Sequence, residues 1–90
     1  MDCLGSPIRI NGDLFLNAKA KGEIRVEVRS ALRDEPLPGW TAEECTPFQG
    51  DKLESPVRWG NNKLSDLNGE IVRLRFQMED ATLYAFDIKK

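Results

Sequence analysis

There is no histidine among the 90 residues of this chain. Histidine is the commonest general base near neutral pH and the commonest metal ligand. A serine or cysteine nucleophile here would therefore have no imidazole to activate it. Cysteine is scarce, with only Cys3 and Cys45. The two lack the Cys-x-x-Cys spacing of a zinc site and are too few for a disulfide scaffold. Whether they pair is left open, because sequence alone does not fix their separation. No apolar run is long enough to span a bilayer as a helix, and no polybasic segment is present. Formal net charge is -2 with 31% charged residues, and the two signs alternate along the chain. Nucleic acid wants a basic face, so neither nucleic acid nor a membrane is expected as a partner. The glycines form no phosphate-binding loop. Met1-Asp2-Cys3-Leu4-Gly5 has neither the basic nor the apolar region of a secretory signal. Helical periodicity of useful length, internal repeats and low-complexity runs are also missing.

What the chain has in quantity is period-two alternation. In Gly22–Ser30, Ile24, Val26 and Val28 point one way, and Glu23, Arg25, Glu27 and Arg29 point the other. β-branched apolar residues suit a pleated, half-buried surface. Opposite charges on the wet face can pair across strands for roughly 0.2–1 kcal/mol each. The stretch from Gly69 to Ile88 reads as two such strands joined by a tight turn at Glu79-Asp80-Ala81. Val72, Leu74, Phe76 and Met78 share one face, and after the turn Tyr84, Phe86 and Ile88 share another. The Gly22–Ser30 strand is expected to pair with Val72–Met78.

Turn signals punctuate the rest. Asn11-Gly12 predicts a hairpin between Ile8–Ile10 and Leu14–Ala20, and Lys21-Gly22 predicts a second turn. Pro36 and Pro38-Gly39 rule out a central strand there, and Pro56 marks its segment as an edge or a bulge. Leu64–Gly69 predicts one turn of 3₁₀ helix, capped by Ser65 or Asp66 and ended by Gly69. Met1–Ser6 reads as a frayed tail or the remnant of a cut, and residues 7–90 as a single domain. Seven to eight short strands with regular turns predict an all-β, antiparallel, jelly-roll-like β-sandwich. Its expected core is Ile24, Val26, Val28, Val72, Leu74, Phe76, Tyr84 and Phe86.

Candidate chemistry is thin. Glu43-Glu44 and Glu79-Asp80 read as solvated turns rather than the paired carboxylates of a glycosidase. Asp51, Glu79 or Asp80 would suit calcium, but no Asp-x-Asp ligand loop supports it, so no metal and no cofactor are expected. The side chains to follow are Trp40, after a Pro-Gly turn, and Trp59, before Gly60-Asn61-Asn62. Either is a core plug or rim cover, or, if exposed, a platform on which a sugar ring can stack. Arg25, Arg29, Arg73 and Arg75 form an outward stripe, read as a solvated face or as a patch that docks another domain.

A set of segments runs in order from about Ile8 to Ile88. It begins with Gly12-Asp13-Leu14-Phe15-Leu16-Asn17-Ala18, Gly22-Glu23-Ile24-Arg25-Val26-Glu27-Val28 and Pro38-Gly39-Trp40. It goes on through Cys45, Gly50-Asp51, Val57-Arg58-Trp59 and Asp66-Leu67-Asn68-Gly69-Glu70-Ile71-Val72-Arg73-Leu74-Arg75-Phe76. It closes with Asp80-Ala81-Thr82-Leu83-Tyr84-Ala85-Phe86. Together they resemble the C-terminal β-sandwich module of bacterial glycosidase-like proteins. These are multi-domain hydrolases with a five-bladed propeller, related to the sucrose and fructan hydrolases of glycoside hydrolase family 32. The resemblance implies a non-catalytic accessory domain of a carbohydrate-active hydrolase, stabilising or docking onto the catalytic propeller of its parent chain. The acidic residues that do the chemistry lie in that propeller, and none maps onto this chain. The parent would be secreted or periplasmic. Two other roles fit the same residues: a module that binds polysaccharide through Trp40 or Trp59, and a protein-interaction or adhesion domain that binds by a strand edge.

Overall fold

The computed structural model describes residues 2–90, and their side chains from residue 4 onward. The described residues form five strands and one short helix: β1 (Asp2–Leu4), β2 (Ile8–Arg9), β3 (Asp13–Ser30), β4 (Phe48–Pro56), a 3₁₀ turn (Leu64–Leu67) and β5 (Ile71–Lys89). All strands belong to one antiparallel sheet of order β1-β5-β3-β4, with β2 also on β5. The all-β class is as the sequence predicts. The strands are fewer and two of them much longer, because the predicted turns at Lys21-Gly22 and Glu79-Asp80-Ala81 reverse nothing.

Those two stretches lie opposite each other in the β3–β5 ladder. Ala20 pairs with Ala81 and Glu23 with Glu79, with a register shift between. Two breaks that read as hairpin turns are one bulge shared by two continuous strands. Asp80 takes up the bend with φ +49. Gly22 is required there for room, since a Cβ on it would lie 2.1 Å from the Glu79 carbonyl oxygen. A bulge bends and twists a ladder without ending it. The bend is large: the Phe76 and Phe86 rings, both on β5, have centroids 5.2 Å apart. Ten residues of straight strand would separate them by about 33 Å. β3 and β5 therefore fold over together, and the apolar faces of their two halves meet.

The core lies in that fold. Leu14, Leu16 and Ala18 come from the first half of β3, Val26 and Val28 from the second, and Val72, Leu74 and Phe76 from β5, all buried. Val57, Trp59 and Leu64 fill the interior from the segment between β4 and β5. Tyr84 and Phe86, expected in this core, are exposed instead.

Three further expectations are corrected. The Ile8–Ile10 segment does not make a hairpin with β3 across Asn11-Gly12; Ile8 and Arg9 pair with Val72 and Ile71 of β5. Gly12 passes so close to the last residues of β5 that an added Cβ would meet the Lys89 carbonyl oxygen at 2.3 Å. Asp2–Leu4, read as tail, pairs with Gln77, Phe76 and Arg75, and Gly5 donates to the Leu74 carbonyl at 2.9 Å. The 3₁₀ turn forms where expected, but Lys63 is its N-cap, with its amide bonded to the Asp66 carboxylate at 3.0 Å.

Candidate functional site

Both tryptophans are occupied in building the fold. β4 leaves β3 after the Ile24–Phe48 pair, so Val26 has no strand beyond it on that side. Two side chains stand in for the missing strand. The Val26 N–H donates to the Cys45 Sγ at 3.3 Å, and the Val26 carbonyl accepts from the Trp59 Nε1 at 2.8 Å. Cys45 and Trp59 are themselves held face to face by an isolated bridge. Trp59 is 1% exposed. It is a core plug, one of the two readings open from the sequence, and in this fold it offers no face to a sugar ring.

Trp40 continues the same cover. Its carbonyl accepts from Val28 N–H at 3.0 Å, and its Nε1 donates to the Lys63 carbonyl at 3.0 Å. The indole is half-buried and packs against the core. Glu44, one of the paired acids, orders this loop: its Oε1 accepts from the Gly39 N–H and from the Thr41 hydroxyl, each at 2.9 Å. The Thr41 hydroxyl, together with the Gly39 and Thr41 amides, holds its carboxyl below the usual range, against the opposing effect of desolvation.

Cys45 is a free, buried thiol. The side chain of Cys3 lies outside the described residues. Burial pushes the Cys45 thiol above its ordinary value of 9.0, with the Val26 amide and Arg25 pulling weakly the other way. A raised pKa in the folded state means that stability is full below the unfolded thiol's pKa and declines as pH rises past it. Unfolding midpoints measured from pH 7 to 10 should therefore fall less in Cys45→Ala than in the native sequence. An equal fall in both would show that the thiol does not contribute.

Three arginines of the stripe, Arg25, Arg29 and Arg75, are ion-paired. Glu27, only 7% exposed, sits opposite Arg75 in the ladder and accepts from Arg29 at 3.3 Å and from Arg75 at 3.4 Å. Arg25 pairs with Glu23 and donates to the Ala42 carbonyl at 3.2 Å. A carboxylate between two guanidiniums explains how like charges share one sheet face. Among the described residues no three His, Cys, Asp or Glu side chains cluster where they could hold a metal ion.

The open surface lies elsewhere, on the second half of β5. β1 and β2 cover the outer edge of β5 only as far as Gln77. From Glu79 on, that edge pairs with no strand among the described residues. Phe86, opposite Leu16, continues the core face and touches the buried Phe76, yet is 44% exposed. Tyr84 is 61% exposed. A register shift explains why it left the predicted face: Asn17 pairs with Ala85 but Ala18 with Leu83, so Tyr84 is the extra residue and Leu83 packs on the core. Sequence alternation identifies the apolar residues of β5 but carries no sign of which half lies at an edge. The edge is guarded: Asp87 Oδ1 takes the Ile88 N–H at 2.9 Å. On β4, the other border of the sheet, Gly50 and Glu54 have positive φ, and Pro56 ends the strand. Charges, bulges and proline are the usual means of blunting a strand edge against pairing. No protein-family model, curated protein or solved structure matches the chain.

Proposed function

We propose that this chain is a non-catalytic accessory domain of a carbohydrate-active hydrolase, a jelly-roll-like sandwich module that docks onto a catalytic five-bladed propeller. The observation that carries this reading is the open flank of the core along β5. Phe86 extends the core through Phe76 and is left half in solvent, with Leu83 and Ile88 only partly covered beside it. A core that runs out to a solvent-facing aromatic fits an interface with a neighbouring domain. The absence of histidine, the buried thiol and the use of Glu44 in ordering a loop agree with a role that involves no chemistry.

The test mixes this chain with a separately expressed five-bladed propeller of a family 32-related hydrolase and follows co-elution on size exclusion. A one-to-one complex is expected, with Phe86→Asp weakening it by about tenfold or more, as loss of a central aromatic anchor does. Independent elution of the native chain, or a complex indifferent to Phe86→Asp, would overturn the reading.

A further inference from the structure

The bend of the sheet creates a second feature, on the other side of β5 from the Phe86 flank. Tyr84 borders a shallow depression of about 550 Å³, with Lys19, Lys21, Asp80 and Thr82 around it. Two register shifts of the β3–β5 ladder assemble it. Thr82 stands opposite Lys19 in the ladder, Lys21 lies in the shift between Ala20 and Glu23, and Tyr84 is the residue that the shift between Asn17 and Ala18 turns outward. Asp51 faces Lys19 from β4. Even so, among the described residues no carboxylate forms an ion pair with Lys19 or Lys21, unlike Arg25, Arg29, Arg75 and Lys89.

We propose that the Tyr84 depression is a subsite for an anionic polysaccharide. The phenol ring offers an apolar surface to the C–H face of a pyranose, and its hydroxyl remains free for a polar contact. The two ammonium groups suit a carboxylate or sulfate substituent; lysine acts as a point charge that tolerates varied approach. Thr82 and Asp80 add a hydroxyl and an acceptor for sugar hydroxyls. The depression is open rather than enclosing, so each contact is weak, and a polymer that repeats the contact gains most from it. Nucleic acid shares this aromatic-plus-cation chemistry, and net charge does not separate it from an anionic glycan. The choice of a glycan among anionic ligands rests on the carbohydrate-active reading above.

The experiment is affinity electrophoresis of the native chain in gels cast with polygalacturonate, with a sulfated galactan, and with a neutral galactan. Tyr84→Ala, Tyr84→Phe and the double variant Lys19→Gln/Lys21→Gln are run beside it. Retardation is expected in one or both anionic gels and not in the neutral one; the gel that retards separates carboxylate from sulfate. Tyr84→Ala should weaken it about tenfold, the scale of one aromatic stacking contact, and Tyr84→Phe should retain most of it. The lysine variant should lose both the retardation and its sensitivity to salt. No retardation in any gel, retardation only by the neutral galactan, or retardation unchanged in Tyr84→Ala and in the lysine variant would each overturn the subsite. So would Tyr84-dependent binding of single-stranded DNA in place of glycan. Tyr84 is exposed, so its variants should keep the native circular dichroism; the lysine pair decides the matter if Tyr84→Ala does not. Failure here is separable from failure of docking, because the lysine variant leaves Phe86 intact and should still co-elute with the propeller.

Discussion

Replacing Trp59 by alanine is expected to bring the domain close to global unfolding at room temperature. Truncating a buried aromatic costs about 3–5 kcal/mol through lost burial and the cavity left behind. Trp59 is the largest of the fully buried side chains, at the meeting point of β3 and the segment after β4. A second cost adds to the first. The Val26 carbonyl accepts from the Trp59 Nε1 at 2.8 Å and has no strand beyond it to replace that bond. A buried acceptor left unpaired costs about 1–3 kcal/mol. Small domains have roughly 5–15 kcal/mol in total, so a chain of 90 residues has little left. Trp59→Phe separates the two costs: it keeps most of the volume and removes the donor, and should lose only about 1–3 kcal/mol. Urea unfolding of both variants checks this. Were Trp59→Ala to shift the free energy of unfolding by less than about 1 kcal/mol, the indole would not be the plug that its burial implies.

Gly22→Ala is expected to destabilise the domain strongly. In a strand, glycine to alanine would ordinarily gain about 0.5–1 kcal/mol from reduced freedom of the unfolded chain. At Gly22 the steric term wins. The new Cβ would lie 2.1 Å from the Glu79 carbonyl oxygen and 3.0 Å from its carbon, both backbone atoms of the paired strand. β3 and β5 must part at the bend, and overpacking of this kind costs about 1–3 kcal/mol or somewhat more. Gly5→Ala is the matched control. Its nearest foreign atom is 3.5 Å away, an ordinary contact, so its melting temperature should stay near the native value. Equal melting temperatures for the two variants would mean that the bend adapts freely. The folding-over of the sheet would then not depend on a missing side chain at residue 22.

The same bend divides what the residues announce from what only the assembled chain decides. Alternation of Ile24, Val26 and Val28 against Glu23, Arg25 and Glu27 states a half-buried strand, because side chains on a pleat alternate by geometry alone. The pairing of that strand with Val72–Met78 follows from the matching apolar and arginine rhythm, and the structure has it, with Ile24 opposite Met78, Val26 opposite Phe76 and Val28 opposite Leu74. Leu64–Leu67 forms its single 3₁₀ turn where the sequence places it, though between Lys63 and Asn68 as caps.

Local signals cannot say whether Lys21-Gly22 and Glu79-Asp80-Ala81 are two reversals or one shared bulge. The answer lies in their being opposite each other, a relation between residues almost sixty positions apart. Nor can they say that Trp59 and Cys45 serve as the edge of a strand, since that depends on where β4 stops pairing. Tyr84 and Phe86 show the limit most directly. Their hydrophobicity and spacing match those of Leu74 and Phe76 on the same strand. The difference is that β1 covers one half of β5 and no strand among the described residues covers the other. Composition and alternation fixed the class of structure, because they depend on neighbours in sequence. Which apolar residues became core and which became surface was decided by strand order and register, which exist only once the chain has closed on itself.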